Sequence, residues 1–495
     1  MQQEDKASAI GRRGFLAAGA GLLAATGASE APAQTSVAPR VSRRDRRLGE
    51  TIAEFVVAFD LDKAPAGLIE RTRVAFIDTI GVMLGGAHEE VAEIAREMIA
   101  VEASASRATV AGSALRTSPQ LAELGNGVAA HAMDFDFSYA ASQAVSPVIP
   151  ALLPLAEVTG ATPREAITAF IVAAEVAARL VRANPKVSAL GGWHPVGMVG
   201  AIATAAACAR LMKAPASVIP DIIGIAASLS SGFNANFGTM TKPLHSGNAA
   251  RNGMMAAFLG AKGFTASNTA LEARAGYFDT FGRGLPLIAD AFDDLGRKFE
   301  LIDRGYKIKR YPCGGLSHTS IDATLALREK LAGRIGEIAR IEAGVTSNAF
   351  SKIGAVYPDT IENAKFSMPY IGAWTVLYGP PSLKTFTMAA IADERVKALS
   401  AKISHRADPE FADEIIEAPG RVRVTLTNGE SLEEKVWFPS GSPQNPMSPA
   451  QIEAKFFDCA RLVFREEQVR RVFAFASDLP KQVSFDALWP MLRNG

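Results

Sequence analysis

The chain contains six histidines, and four of them lie in stretches dense with other chemistry-bearing residues. The first stretch is His131-Ala132-Met133-Asp134-Phe135-Asp136, where two carboxylates alternate with apolar side chains at the end of a helical run. An acid beside Phe135 and Phe137 loses solvation, which raises a carboxyl pKa toward the range of a general acid or base. The plainer reading of both acids is a helix-end cap. The second stretch is Gly191-Gly192-Trp193-His194-Pro195. Pro195 suits the first turn of a helix, so a glycine loop delivers His194 where free N–H groups can also meet an anion.

The third stretch runs from Phe237 to Gly253 and holds Lys242, His245 and Arg251 within ten residues. Lys242 and Arg251 can hold carboxylates, arginine through a bidentate fork. His245 can carry a proton near neutral pH. The fourth stretch, Lys309-Arg310-Tyr311-Pro312-Cys313-Gly314-Gly315-Leu316-Ser317-His318, admits two readings. Cys313 and His318 have the make-up of a nucleophile and its base. Equally, Gly314-Gly315 ahead of a helix can hold an anion, with Cys313 simply buried. His88 and His405 sit in polar, loop-like surroundings and read as surface residues.

These groups need a frame. Apolar residues at helical spacing predict helices near 69–82, 89–103, 118–133, 147–158, 163–183, 195–212, 216–231 and 248–262. The runs are rich in Ala and Gly, which lets helices approach closely, so residues 48–302 read as one all-α domain. The character changes near Leu301. Tyr306 to Lys309 alternates like a strand, Ser320 to Leu331 reads as a helix, and Ile338 to Val345 as a strand. Arg421 to Leu426, Asn428-Gly429 and Leu432 to Phe438 give a hairpin signal. Residues 303–440 therefore read as an α+β lid, and helices of 441–495 as packing back on the first domain. The fold class is mainly α, with a cleft between the two units.

Composition narrows the function. The chain has 495 residues, net charge +1, 48% hydrophobic and 21% charged residues, an ordinary globular balance. Near-zero charge argues against nucleic-acid binding through a basic face. Cys208, Cys313 and Cys459 lie far apart without a CxxC pair, which speaks against a zinc ribbon or a locally built iron–sulfur site. Arg12-Arg13-Gly14-Phe15-Leu16, a short apolar run and Ala31-Pro32-Ala33 read as a twin-arginine export signal over 1–34. A basic linker over 35–47 follows. The expectation is a periplasmic protein that meets the twin-arginine export machinery in transit and has no membrane span once mature.

The chain from Leu48 to Leu488 resembles the MmgE/PrpD family. The resemblance rests on the four stretches in order, on Ile321-Asp322-Ala323, and on Ala364-Lys365-Phe366-Ser367-Met368-Pro369-Tyr370. It implies the layout above, a homodimer, and chemistry without metal or cofactor on small di- or tricarboxylates, as in 2-methylcitrate dehydratase. Asp134, His194 and Lys242 match positions that the family uses in its active site; His245 and His318 lie in matching blocks. Relatives commonly follow the first block with a further Asp, a Thr and a His-Pro. Here Phe137, Ser138 and Gln143 stand instead, and no histidine occurs between His131 and His194. The expected catalytic set is Asp134, His194, Lys242, His245 and His318. The expected substrate contacts are Lys242, Arg251, Ser138, Gln143, Cys313 and Gly314. The leading expectation is a dehydratase or decarboxylase. An epimerase needs only the same carbanion and a single base pair, and a carboxylate-binding protein on a retired enzyme scaffold is the third reading.

Overall fold

The computed structural model describes residues 47–494, apart from 103, 141, 142, 332 and 412–417. The export signal expected over 1–34, and all of the expected linker but Arg47, lie outside the described residues.

The first half of the chain builds nine helices of ten residues or more among the described residues. They are α1 (Leu48–Ala58), α2 (Gly67–Gly86), α3 (Glu90–Val101), α4 (Pro119–Ala132), α5 (Val148–Thr159), α6 (Pro163–Ala183), α7 (Pro195–Leu211), α8 (Ile219–Ser228) and α9 (Thr241–Ala261). A two-stranded antiparallel pair, β1 (Ala108–Thr109) and β2 (Arg116–Thr117), precedes α4. Local chemistry sets the helix starts. Thr162 and Glu165 close a capping box on α6, with Pro163 in the first turn.

Small residues then bring the helices together. In α7 every residue but Arg210 is buried, as expected of an Ala-rich helix apolar on all sides. A Cβ added at Gly253 of α9 would lie 2.5 Å from Cβ of Thr204 on α7, and one at Gly127 of α4 would lie 2.7 Å from Cα of Gly247 on α9. These glycines therefore let three helices touch backbone to backbone. That contact sets the end of α4 against the start of α9.

The remainder holds α10 (His318–Leu331), β3 (Ile338–Val345), α11 (Met368–Tyr378), β4 (Ile403–Ala407), β5 (Gly420–Leu426) and β6 (Ser431–Val436). The sheet order is β4-β3-β5-β6, with β4 parallel to β3 and the other pairs antiparallel. Asn428-Gly429 makes the β5–β6 turn, and Gly429 supplies its φ of +88°. Two helices end the fold, α12 (Pro449–Ala460) and α13 (Glu466–Ser477). Phe456 of α12 packs on Gly81 of α2.

Two large apolar cores result. One draws on residues from Leu48 to Ile308 and is rejoined by Phe456 to Leu492. The other runs from Tyr311 to Leu426. The fold is mainly α with a small β part. Among the described residues no helix is long and apolar enough to cross a membrane.

Two local expectations need correction, and two elements went unread. Tyr306 to Lys309 is not a strand of the sheet: Lys307 forms only an isolated bridge with Ser138, a loop residue beside the first core. Helix α9 starts at Thr241 rather than near 248, so Lys242 and His245 ride on its first turn. Helix α11 and strand β4 had no reading in the sequence; Ser367 caps α11 and Pro369 sits in its first turn.

Candidate functional site

The site forms where α4 ends. Past Ala132 the chain turns at Asp134 with φ +50°, uncommon for any residue but glycine. Lysines from three distant segments hold that turn. Lys365 donates to the carbonyl of Ala132 at 3.0 Å, Lys309 to that of Asp134 at 2.7 Å, and Lys455 to that of Phe135 at 2.7 Å. Asp78 pairs with Lys455 at 2.6 Å and accepts the N–H of Phe137 at 3.1 Å. The N–H of Ser138 donates to the carbonyl of Lys307 at 2.8 Å. Cations at the carbonyl end of α4 also suit the helix dipole.

At the centre, Lys242 donates to Oδ1 of Asp134 and to Nε2 of His131, each at 2.8 Å. Lys309 reaches the same Oδ1 at 2.9 Å. Nδ1 of His131 lies 2.9 and 3.0 Å from the two oxygens of Asp136, which fixes the tautomer: Nδ1–H donates to the carboxylate and Nε2 accepts from Lys242. Burial alone would push the Asp134 carboxyl up, but Lys242 and then Lys309 outweigh it and hold it far below the usual carboxylate range. Burial pushes Lys242 down, and Asp134 opposes that. Burial likewise lowers His131, against the pull of Asp136. Asp134 is therefore a fixed anion, not a proton carrier.

Beside this centre His194 and His245 share a hydrogen bond, Nδ1 to Nδ1, at 2.9 Å. His194 is completely buried, while His245 is 7% exposed. The His194 ring packs against His131 and edge-on to Phe237, and its Nε2 is buried with no partner in the structure. Burial, then Lys242 and His131, lower His194 well below the usual histidine range. Burial, then His131 and Lys242, pull His245 down to about 4. Both rings are neutral at pH 7, so one Nδ1 must donate and the other accept. The pair can pass a proton between a closed interior and its more exposed member.

The cleft in front of Asp134 is lined by His131, Asp134 and Lys242 from one core and by Lys365 and Phe366 from the other. Phe366 of this lining packs on Phe237 with ring centres 5.9 Å apart, and the Lys242 ammonium lies 5.7 Å from each ring. His131, Asp134 and Asp136 have the donor types for a cation. The Lys242 ammonium, within 2.8 Å of both His131 and Asp134, already supplies a positive charge between them.

Of the residues singled out in the sequence, the structure brings together Asp134, His194, Lys242 and His245. Gln143 joins them, its side-chain N–H reaching Oδ1 of Asp134 at 3.4 Å. Ser138 is pinned through its backbone to Lys307. The remaining expectations need correction. Arg251 follows Lys242 by nine residues on α9, about two and a half turns, which places it on the opposite face. His318 is fully buried, stacks edge-on to Tyr311 and donates from Nε2 to the carbonyl of Cys313 at 3.3 Å. It supports the loop rather than touching Asp134. Burial pushes the Cys313 thiol up to about 12, against the Ser317 hydroxyl 3.7 Å away, so it is no nucleophile. The Gly314 N–H is taken by the carbonyl of Lys365 at 2.9 Å and is not free for an anion. Its missing side chain leaves room for Phe366, which a Cβ would meet at 3.0 Å.

Four residues were overlooked as individuals: His131, Asp136, Lys309 and Lys365. His131, Asp136 and Lys309 lie inside stretches already marked by their composition, and Lys365 inside the block 364–370 that carries the family resemblance. The signal for His131 was its own spacing, five residues from Asp136.

Comparison with known proteins gives the family of the chain. The MmgE/PrpD N-terminal domain matches residues 50–287 and the MmgE/PrpD C-terminal domain residues 311–479. The chain is 27% identical over 462 residues to cis-aconitate decarboxylase of Homo sapiens, covering 91% of this chain and 95% of that one. It is 25% identical over 421 residues to cis-aconitate decarboxylase of Mus musculus, covering 82% and 85%. It is 25% identical over 464 residues to the enzyme of the same name from Aspergillus terreus, covering 87% and 93%.

Proposed function

The chain belongs to the MmgE/PrpD family, and on that premise we propose that it is a lyase that acts on a small di- or tricarboxylate with its own ammonium and imidazole groups. The observation that carries the reading is the Lys242 ammonium, shared between His131 and Asp134 in the cleft, with the His194–His245 pair beside it. The relatives named as decarboxylases favour loss of carbon dioxide over loss of water.

Each group then has one task. A substrate carboxylate docks against Lys242. The bond to the departing carboxyl breaks and leaves its electron pair on the carbon skeleton. The negative charge spreads into a neighbouring carboxyl that faces the ammonium groups, where fixed charges in a closed site act most strongly. His194 gives its Nε2 proton to the carbanion while Nδ1 takes one from His245, and His245 refills from solvent. One carbon dioxide leaves and one proton enters. Asp134 keeps both lysines charged and in place. The Phe237–Phe366 pair keeps water from the carbanion.

The test is proton NMR in deuterated buffer with the purified protein and a panel including cis-aconitate and 2-methylcitrate. The expected result is conversion of one acid with deuterium entering at a single carbon. His194→Asn should cost about 10²–10⁴ in turnover, as for loss of a general acid. Lys242→Met should cost about 10²–10³, as for loss of one charge-stabilising donor. Full turnover by both variants would overturn the assignment. Deuterium entering recovered substrate without loss of carbon dioxide or water would make the protein an epimerase instead.

A further inference from the structure

Lys365 has no task in the reaction proposed above, yet it lines the same cleft. Its ammonium is buried and makes two bonds, to the carbonyl of Ala132 at 3.0 Å and to Oε2 of Glu89 at 3.2 Å. An ammonium has three N–H donors, so one remains. The two cleft-lining lysines differ in the acid that balances them. Lys242 faces Asp134, whose side chain is 5% exposed and is shared with Lys309. Removing that acid would strand two buried cations. Lys365 faces Glu89, whose side chain is 28% exposed and which precedes helix α3. Glu89 can turn into water at little cost, while Lys365 stays fixed by Ala132.

We infer that Lys365 is a second carboxylate anchor of the cleft, and that Glu89 is a built-in carboxylate that holds this anchor until a substrate carboxylate displaces it. The inference rests on the proposed reading of the site as a carboxylate site, and it adds the group that takes the non-reacting carboxylate. Geometry fits this division. Phe366, next in sequence to Lys365, lies 5.7 Å from the Lys242 ammonium. Lys242 and Lys365 line the one cleft, so a polyacid that fills it meets both ammonium groups. Exchange of one carboxylate for another on a fixed ammonium also leaves the charge of the buried site unchanged.

The two residues make opposite predictions, which a purely structural role does not. The probe is cis-aconitate, a tricarboxylate, measured by calorimetry and, where it turns over, by steady-state kinetics on the full chain. Lys365→Met should weaken binding at least tenfold and raise KM while kcat stays within about threefold, the signature of lost ground-state binding. Glu89→Gln should tighten binding at least threefold, because the internal competitor has lost its charge. The double variant should bind like Lys365→Met alone, since Glu89 acts only through Lys365. Unchanged or weaker binding by Glu89→Gln overturns the inference, even where Lys365→Met folds poorly. Tightening by Glu89→Gln that persists in the double variant overturns it too. If the wild-type protein binds neither cis-aconitate nor any other acid of the panel above, the carboxylate reading itself fails and this anchor with it. If it binds them and the variants behave otherwise than stated, only the anchor fails.

Discussion

Replacing Asp134 by Asn tests the charge balance at the heart of the site. The Lys242 and Lys309 ammonium nitrogens both lie within 2.9 Å of the same Asp134 oxygen, so they are less than about 6 Å apart. At an effective dielectric constant of about 20, two unit charges at that separation repel by about 3 kcal/mol or more. In Asp134→Asn only Asp136, bonded to His131 rather than to either lysine, is left to offset this repulsion, and both cations are buried. Breaking a buried pair from one side costs about 3–5 kcal/mol in general, in line with that figure. With an unfolding entropy of about 2 cal/mol/K per residue, a loss of this size lowers the thermal midpoint of a chain of this length by about 3 °C. The variant must also respond to pH. A lysine whose folded pKa is driven below its unfolded value makes stability rise with pH, because the unfolded chain binds more protons in that window. Burial already gives Lys242 this direction in the wild type, so the rise between pH 7 and 9.5 should be steeper in Asp134→Asn. Adding Lys309→Met should recover most of the lost stability. Differential scanning calorimetry at pH 7 and 9.5 reads all three effects. A midpoint for Asp134→Asn within about 1 °C of wild type at both pH values, where about 3 °C is expected, would refute the reasoning.

Other consequences are simpler. The His194–His245 pair makes the protein acid-sensitive. Both rings have folded pKa values below the unfolded value of about 6.5, and His245 falls to about 4. Their contribution is therefore complete above pH 6.5 and is lost as pH falls toward 4. The thermal midpoint should fall over that interval, and His245→Asn should reduce the slope; an equal slope in the variant would count against the pair. Cys313, fully buried and with its thiol pushed up to about 12, should resist iodoacetamide at pH 8 in the folded protein, and Cys313→Ala should keep turnover. Rapid alkylation with loss of activity would restore it as a nucleophile. Arg251→Gln should leave kcat/KM within about threefold, because half a turn of α9 separates it from the Lys242 face; a KM effect as large as that of Lys242→Met would return Arg251 to the cleft.

Much of this was legible in the chain. The apolar spacing over 163–183 announced α6, and Asn428-Gly429 announced the β5–β6 hairpin, because in each case the decisive contacts lie within a few residues. The centre was half legible for the same reason. His131, Asp134 and Asp136 sit in one short segment, and Lys242 and His245 share the first turn of one helix. What could not be read was the convergence of Lys309, Lys365 and Lys455 on three carbonyls of one turn, those of Asp134, Ala132 and Phe135. They are tens of residues apart in sequence, and only the closing of both cores brings them to residues 132–135. Arg251 shows the opposite failure. Its nearness to Lys242 in sequence suggested a partnership that the nine-residue step along one helix undoes by rotation.

That convergence also explains how the turn at Asp134 survives. A non-glycine residue at φ +50° costs free energy, and such a conformation lasts only where its surroundings over-determine it. Here lysines fix the carbonyls of Ala132, Asp134 and Phe135, and Asp78 fixes the N–H of Phe137. Each cation brings a charge that must be balanced in a buried site. Lys242 and Lys309 share Asp134, Lys455 takes Asp78, Lys365 takes Glu89, and His131 orients on Asp136. A polyanionic substrate entering this closed balance adds negative charge, and an internal carboxylate must move to make room. Asp134, Asp136 and Asp78 are all buried and tied to the turn itself, so their release would unmake the site. Glu89 alone of the four stands partly in water and holds no part of the turn. The scaffold that strains Asp134 into place thereby also selects which acid can yield to the substrate.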